Sequence, residues 1–169
     1  MNEQFPPPWP LENQIYNSEE QYKEWFIGEK YLSYYKKHFN QITTKKTTSG
    51  FNIGAFFLGP IWMFYRKMYL YGWIYIICML IFSIVMELMG ISEMLDRGIS
   101  IGITVALGMF GNTLYKNFVE KKIKHLIQIE QPASLENILK ENGGTNMISA
   151  LIFLMIFTGF ILLGFYADV

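Results

Sequence analysis

A chain of 169 residues that is 51% hydrophobic and 17% aromatic, with a formal net charge of +0, is too apolar for a disordered segment and too balanced in charge for a nucleic-acid-binding domain. Its single cysteine, Cys78, excludes both an internal disulfide framework and a multi-cysteine zinc site within one chain.

Residues 1–50 read as a polar segment expected in the cytoplasm. Met1 to Asn17 contains Phe5-Pro-Pro-Pro-Trp-Pro10, an extended, polyproline-like terminus. The first apolar run begins only at Phe51, which is not the pattern of a cleavable signal peptide. From Ser18 a helix is expected: Ser18 can cap it, Glu19 and Glu20 suit its first turn, and Tyr22, Trp25, Phe26, Leu32, Tyr35 and Phe39 recur at helical spacing. Gly28 is the expected interruption. The aromatic face is flanked by Lys30, Lys36 and Lys37, as in an amphipathic helix on a membrane surface or, the reading preferred here, one packed against residues 51–65. Thr43 to Gly50 reads as a polar linker.

Phe51 to Tyr65 is apolar but short, followed at once by Arg66 and Lys67. As a helix it would rise about 22 Å, less than the ~30 Å of a hydrocarbon core. Gly59-Pro60 interrupts it, because proline disrupts a helix interior and favours the first position of a new helix. Residues 51–58 are therefore expected to form a short re-entrant or interfacial helix. A second helix should start near Pro60, pass Arg66 and Lys67 at headgroup depth and run on as the first crossing. Trp62, Tyr65, Arg66, Lys67 and Tyr69 would then form a headgroup-level belt that gathers anionic lipid or a partner's acidic group.

Three apolar stretches, near 68–86, 98–115 and 147–167, each approach the ~20 residues a helix needs to cross a bilayer. Lysines cluster before residue 51 and again at Lys116, Lys121, Lys122, Lys124 and Lys140, whereas the 87–97 connection carries Arg97 as its only positive residue. The positive-inside rule places the N-terminus and residues 116–146 in the cytoplasm, and the 88–97 connection and the C-terminus outside. In the second crossing Gly98, Gly102 and Ala106 line one face, while Gly108, Gly111 and Asn112 lie at its inner end. Small residues so spaced let helix backbones approach closely, and packing within the chain is expected ahead of dimerisation. The helix should continue through Tyr115 to Ile129 and stop at Pro132. A short helix over Ser134 to Asn142, closed by Gly143-Gly144, precedes the last crossing, which starts at Thr145 or Asn146.

The run Phe51, Asn52, Ala55, Phe56, Phe57, Gly59, Pro60, Trp62, Tyr65, Arg66, Lys67, Met68 and Tyr69 resembles the signature of a bacterial family of small membrane proteins, the domain of unknown function 2628. Phe26-Ile-Gly28 with Tyr34, Tyr35 and Phe39 is similar to the family's lead-in, and Gly111-Asn112, Tyr115 and Val119 to Ile123 to its motif after the second crossing. Ile53 departs from the pattern, where an aromatic is expected. The resemblance implies a bacterial inner-membrane protein and carries no activity.

The expected architecture is an all-α integral membrane protein: an N-terminal cytoplasmic segment (1–50) with an amphipathic helix, then a membrane domain (51–167) of three transmembrane helices and one re-entrant or interfacial helix. His38 and His125 are the only histidines, both beside lysines, and read as solvated residues. No acid, base and nucleophile are grouped, so no enzyme activity, cofactor or metal is expected. The expected partners are membrane lipids and a membrane-protein partner or a second copy, with no nucleic acid. The functional expectation is a non-enzymatic interaction or accessory factor with an aromatic and basic cytoplasmic face. The alternative is a subunit of an oligomeric small-solute transporter or channel, although Ser83, Thr104, Asn112 and Thr158 are too scattered to mark a conduction path.

Overall fold

The computed structural model describes residues 12–129 and 134–167. All of its regular elements are helical: α1 (Glu12–Ile27), a π-helical turn (Tyr31–Tyr35), α2 (Lys36–Gln41), α3 (Ile53–Leu58), α4 (Pro60–Tyr65), α5 (Tyr69–Leu88), α6 (Glu93–Ile129), α7 (Leu135–Asn142) and α8 (Met147–Ala167). Three helices are long and apolar enough to cross a membrane, α5, α6 and the one that contains α8. Their flanks carry exposed apolar side chains such as Leu80, Ile84, Ile101 and Met155. The well-buried core lies elsewhere, in a helical head at one end of these three helices. Phe26 and Ile27 of α1, Phe39 of α2, Trp62 and Met63 of α4, Tyr115 and Val119 of α6 and Leu139 of α7 all belong to it.

Local chemistry explains the head's many short helices. α1 begins at Glu12, ahead of the expected start at Ser18, and ends at Gly28, whose φ of 80° suits glycine. The Phe5 to Pro10 stretch lies outside the described residues. Beyond Gly28 the chain forms a π turn in which the Lys36 amide donates to the Tyr31 carbonyl. This wider turn changes the phase of the aromatic face. Tyr31, Tyr35 and Phe39 point inward, while Leu32, expected on that face, is 60% exposed.

The break at Gly59-Pro60 is sharp. Gly59 has φ 50° and ψ −120°, and Pro60 opens α4 at a position where no amide is needed. The Asn52 side chain caps α3 by accepting from the Ala55 amide at 2.9 Å. The expectation that the Pro60 helix runs unbroken into the first long helix is corrected. α4 stops at Tyr65, Lys67 takes a left-handed φ of 58°, and α5 starts afresh at Tyr69. The interruption lets the Arg66 side chain turn into the head.

At 37 residues, α6 is about 55 Å long. Its first half leaves the turn at Gly90, and its second half is built into the head through Tyr115, Val119, Ile123 and Leu126. α7 packs on α1, where Gly143 approaches the Phe26 backbone so closely that a side chain there would collide with it. The Asn146 carboxamide then accepts from the Ser149 amide at 3.0 Å and caps α8.

Candidate functional site

Two features of the head stand out, a clamp of short helices on α6 and a basic groove beside it. The clamp starts from the absence of side chains on α6. At Gly111 a Cβ would lie 2.7 Å from the Ala55 Cβ and 3.1 Å from that of Asn52, so α3 rests directly on the α6 backbone. Gly108 meets Phe51 and Phe56 in the same way. One turn on, fully buried Asn112 donates to the Ser49 carbonyl at 2.8 Å and to the Tyr34 hydroxyl at 3.3 Å, and accepts from the Asn52 carboxamide at 3.0 Å. The Asn52 amide donates to the Gly108 carbonyl at 2.8 Å. A buried carboxamide with this many partners fixes one register of α3 on α6.

The linker over residues 43–50 joins this clamp. Thr113 donates to the Thr47 carbonyl, and Lys116 donates to the carbonyls of Phe39 and Ile42, each at 2.9 Å. His38, expected to be a solvated residue, is half-buried. Its Nδ1 lies 3.1 Å from the Ser49 hydroxyl and its ring 4.5 Å from the Tyr34 centroid. Partial burial pushes its pKa below the ordinary histidine value, the Lys37 charge adds to this, and a hydrogen bond to the Ser49 backbone opposes it.

α4 connects the clamp to all three long helices. Trp62 meets Tyr115 of α6, with ring centroids 6.1 Å apart. Phe64 stacks on Phe153 of α8 at 4.5 Å and meets Trp73 of α5 edge-on at 5.5 Å. The Arg66 guanidinium lies 4.9 Å from the Tyr35 ring centre, 5.4 Å from that of Tyr65 and 5.3 Å from that of Tyr115. Arg66 is only 7% exposed and forms no ion pair among the described residues, and its Nε and Nη1 make no hydrogen bond there. The three ring faces offset part of its desolvation, each desolvated cation–π contact contributing on the order of 1–2 kcal/mol. Burial raises the Tyr35 pKa, and the Arg66 charge beside it opposes the rise.

This arrangement corrects the expected belt. Trp62 and Arg66 are interior residues of the head, half-buried Tyr65 serves the Arg66 cage, and only Lys67 and Tyr69 remain toward the surface. The reason is that Trp62 and Arg66 sit one turn apart on the face that α6 covers. Among the described residues Gly98 and Gly102 meet no other group within 4 Å and Ala106 is exposed, so the close contact expected along that face is not made by them. The small residues that serve backbone approach are Gly108 and Gly111. The extended head half of α6 supplies the packing partner, and the glycine pattern alone did not distinguish the two faces.

The groove, of about 700 Å³, opens between the start of α5, α6 and the α7–α8 connection. Its polar lining includes Lys67, Lys121, Lys122, His125 and Asn146, and its apolar lining includes Leu70, Tyr71 and Phe118. The left-handed turn at Lys67 places its ammonium 2.7 Å from the Glu141 carbonyl. Asn146 donates to the Tyr69 hydroxyl at 3.0 Å. In the sequence Lys121 and Lys122 signal orientation only. Their convergence with Lys67 depends on tertiary structure, and no local pattern announces it. No group of three or more potential metal ligands occurs among the described residues.

No curated protein and no solved structure matches the chain. A family model described as a protein of unknown function, DUF2628, matches residues 17–121, a segment that runs from α1 through the Asn52–Asn112 clamp and the Arg66 cage to Lys121. That segment covers more than half of the sequence, and the chain belongs to the DUF2628 family.

Proposed function

We propose that the protein is a non-enzymatic interaction or accessory factor of a bacterial cytoplasmic membrane. In this reading α5, the first half of α6 and α8 cross the bilayer, and the head lies in the cytoplasm with the N-terminus inside and the C-terminus outside. The lysines of the head and the near-absence of positive charge in the 88–97 connection support that orientation. α3 lies at the inner surface or dips into the inner leaflet, since Ile53, Phe57 and Leu58 are exposed on it.

One observation carries the functional reading. The head's buried polar residues Ser49, Asn52, Arg66 and Asn112 are engaged within the head itself, while Lys67, Lys121 and Lys122 line an open groove on its outside. A rigid platform with a basic, aromatic surface suits recognition of an acidic partner. Isolation of the full chain from native membrane in mild detergent, with mass spectrometry of what accompanies it, tests this. A stable protein partner lost on reversing the head's lysine charges is the expected result, and a chain that always isolates alone overturns it.

The face of Gly98, Gly102 and Ala106, open among the described residues, favours a second reading, a subunit of a homo-oligomeric transporter or channel, because a small-residue face so exposed can receive another copy. A closed homo-oligomer with a water-filled axis would favour it.

A further inference from the structure

We propose that the groove bounded by Lys67, Lys121 and Lys122 is a binding site for the phosphate of an anionic phospholipid headgroup. The inference rests on the membrane orientation proposed above and assigns the groove an occupant.

Charge is the first argument. Three lysines line the groove against one carboxylate, Glu141. Elsewhere on the head Lys23 and Lys116 approach Glu120, and Lys140 pairs with Glu136. Lys67, Lys121 and Lys122 form no ion pair among the described residues, and the bond from Lys67 to the Glu141 carbonyl uses only one of its three donors. Three ammonium groups on one concavity, none in an ion pair among the described residues, attract an anion that remains partly hydrated, as a phosphate diester does.

Location decides between a lipid and a soluble phosphate. The groove's edge is the first turn of α5, where Tyr69 and the 69% exposed Leu70 begin the apolar helix. A headgroup there could place its glycerol against Tyr71 and Phe118 and its acyl chains along α5, a continuity that a soluble ester lacks. Because the Tyr69 hydroxyl accepts from Asn146, its own proton can go to Ser149 at 3.3 Å or to a headgroup oxygen. Tyrosine at this depth matches the aromatic preference of the membrane interface.

The test uses the full chain in nanodiscs of phosphatidylcholine with and without phosphatidylglycerol, and reads both retained lipid by native mass spectrometry and thermal stability. Phosphatidylglycerol should be retained selectively and raise the melting temperature. Each groove lysine removed should weaken retention about fivefold, so Lys121→Gln with Lys122→Gln should weaken it about twenty-five-fold. Both positions are at least partly exposed, so the fold should persist. Lys45→Gln with Lys46→Gln removes equal charge from the linker and should leave retention unchanged. An equal loss in that control, no loss in the groove variant, or displacement of the lipid by soluble glycerol phosphate would each overturn the proposal. Retention of a protein partner by the groove variant would leave the interaction reading intact even so.

Discussion

The side chains of Asn52 and Asn112 meet across 3.0 Å in the interior of the head, one at the cap of a six-residue helix and the other in the middle of a 37-residue one. Through this bond the cap that defines α3 also docks it. Asn112→Leu should therefore do more than remove one contact, because it leaves the Asn52 carboxamide and the Ser49 carbonyl without their buried partner. Each orphaned group costs about 1–3 kcal/mol, and a loss of about 2–6 kcal/mol is expected. Denaturant unfolding followed by tryptophan fluorescence checks this, and a variant as stable as the parent would show that α3 is held by apolar contact alone.

The two glycine faces of α6 give an opposed pair of outcomes. Gly111→Val drives methyl groups into Ala55 and Asn52 and should destabilise the head by about 1–3 kcal/mol. Gly102→Leu meets open space and should leave the melting temperature of the monomer in detergent unchanged. Equal damage from both would place a neighbour on the Gly102 face that the monomer does not supply.

The break at Gly59-Pro60, the long helix through Ile129 and the short helix before α8 were legible in the sequence, because proline, glycine and sustained apolar periodicity act over a few residues. The head's interior was not. A helix bearing Trp62, Tyr65 and Arg66 has the composition of an interfacial anchor and equally that of a core facing Tyr35 and Tyr115, and only tertiary pairing chooses between them. Leu32 was misplaced for a smaller reason, since a π turn shifts the helical phase and has no reliable signal in the residues that form it. The stripe of Gly98, Gly102 and Ala106 misled because glycine is frequent in membrane helices whether or not a partner is present.

Arg66→Lys should expose the difference between a planar guanidinium and a point charge. The guanidinium lies over three rings at once, with 4.9 Å the shortest centroid distance, and a lysine ammonium on a flexible stem cannot reproduce that stacking while carrying stronger hydration. A loss of about 2 kcal/mol or more is expected in thermal or denaturant unfolding. Unaltered stability would mean that the positive charge alone, at any position in the cage, suffices.

Acid should loosen the linker over residues 43–50 through His38. The Ser49 hydroxyl donates to Gln41 Oε1 at 2.7 Å, so toward His38 it acts as acceptor, and the neutral imidazole carries its proton on Nδ1. Protonation then adds charge at Nε2, which partial burial and the neighbouring Lys37 both oppose, and the folded-state pKa lies below the ordinary value. A depressed histidine pKa means that the unfolded chain takes up the proton first. The stability contribution is thus fully present above about pH 6.5 and is lost as pH falls toward the folded-state pKa. Protection factors at the amides of residues 43–50, taken relative to the intrinsic exchange rate at each pH, should fall over that interval in the parent and remain level in His38→Gln. An identical fall in the two proteins would assign the acid response to another group and remove His38 from the linker's control.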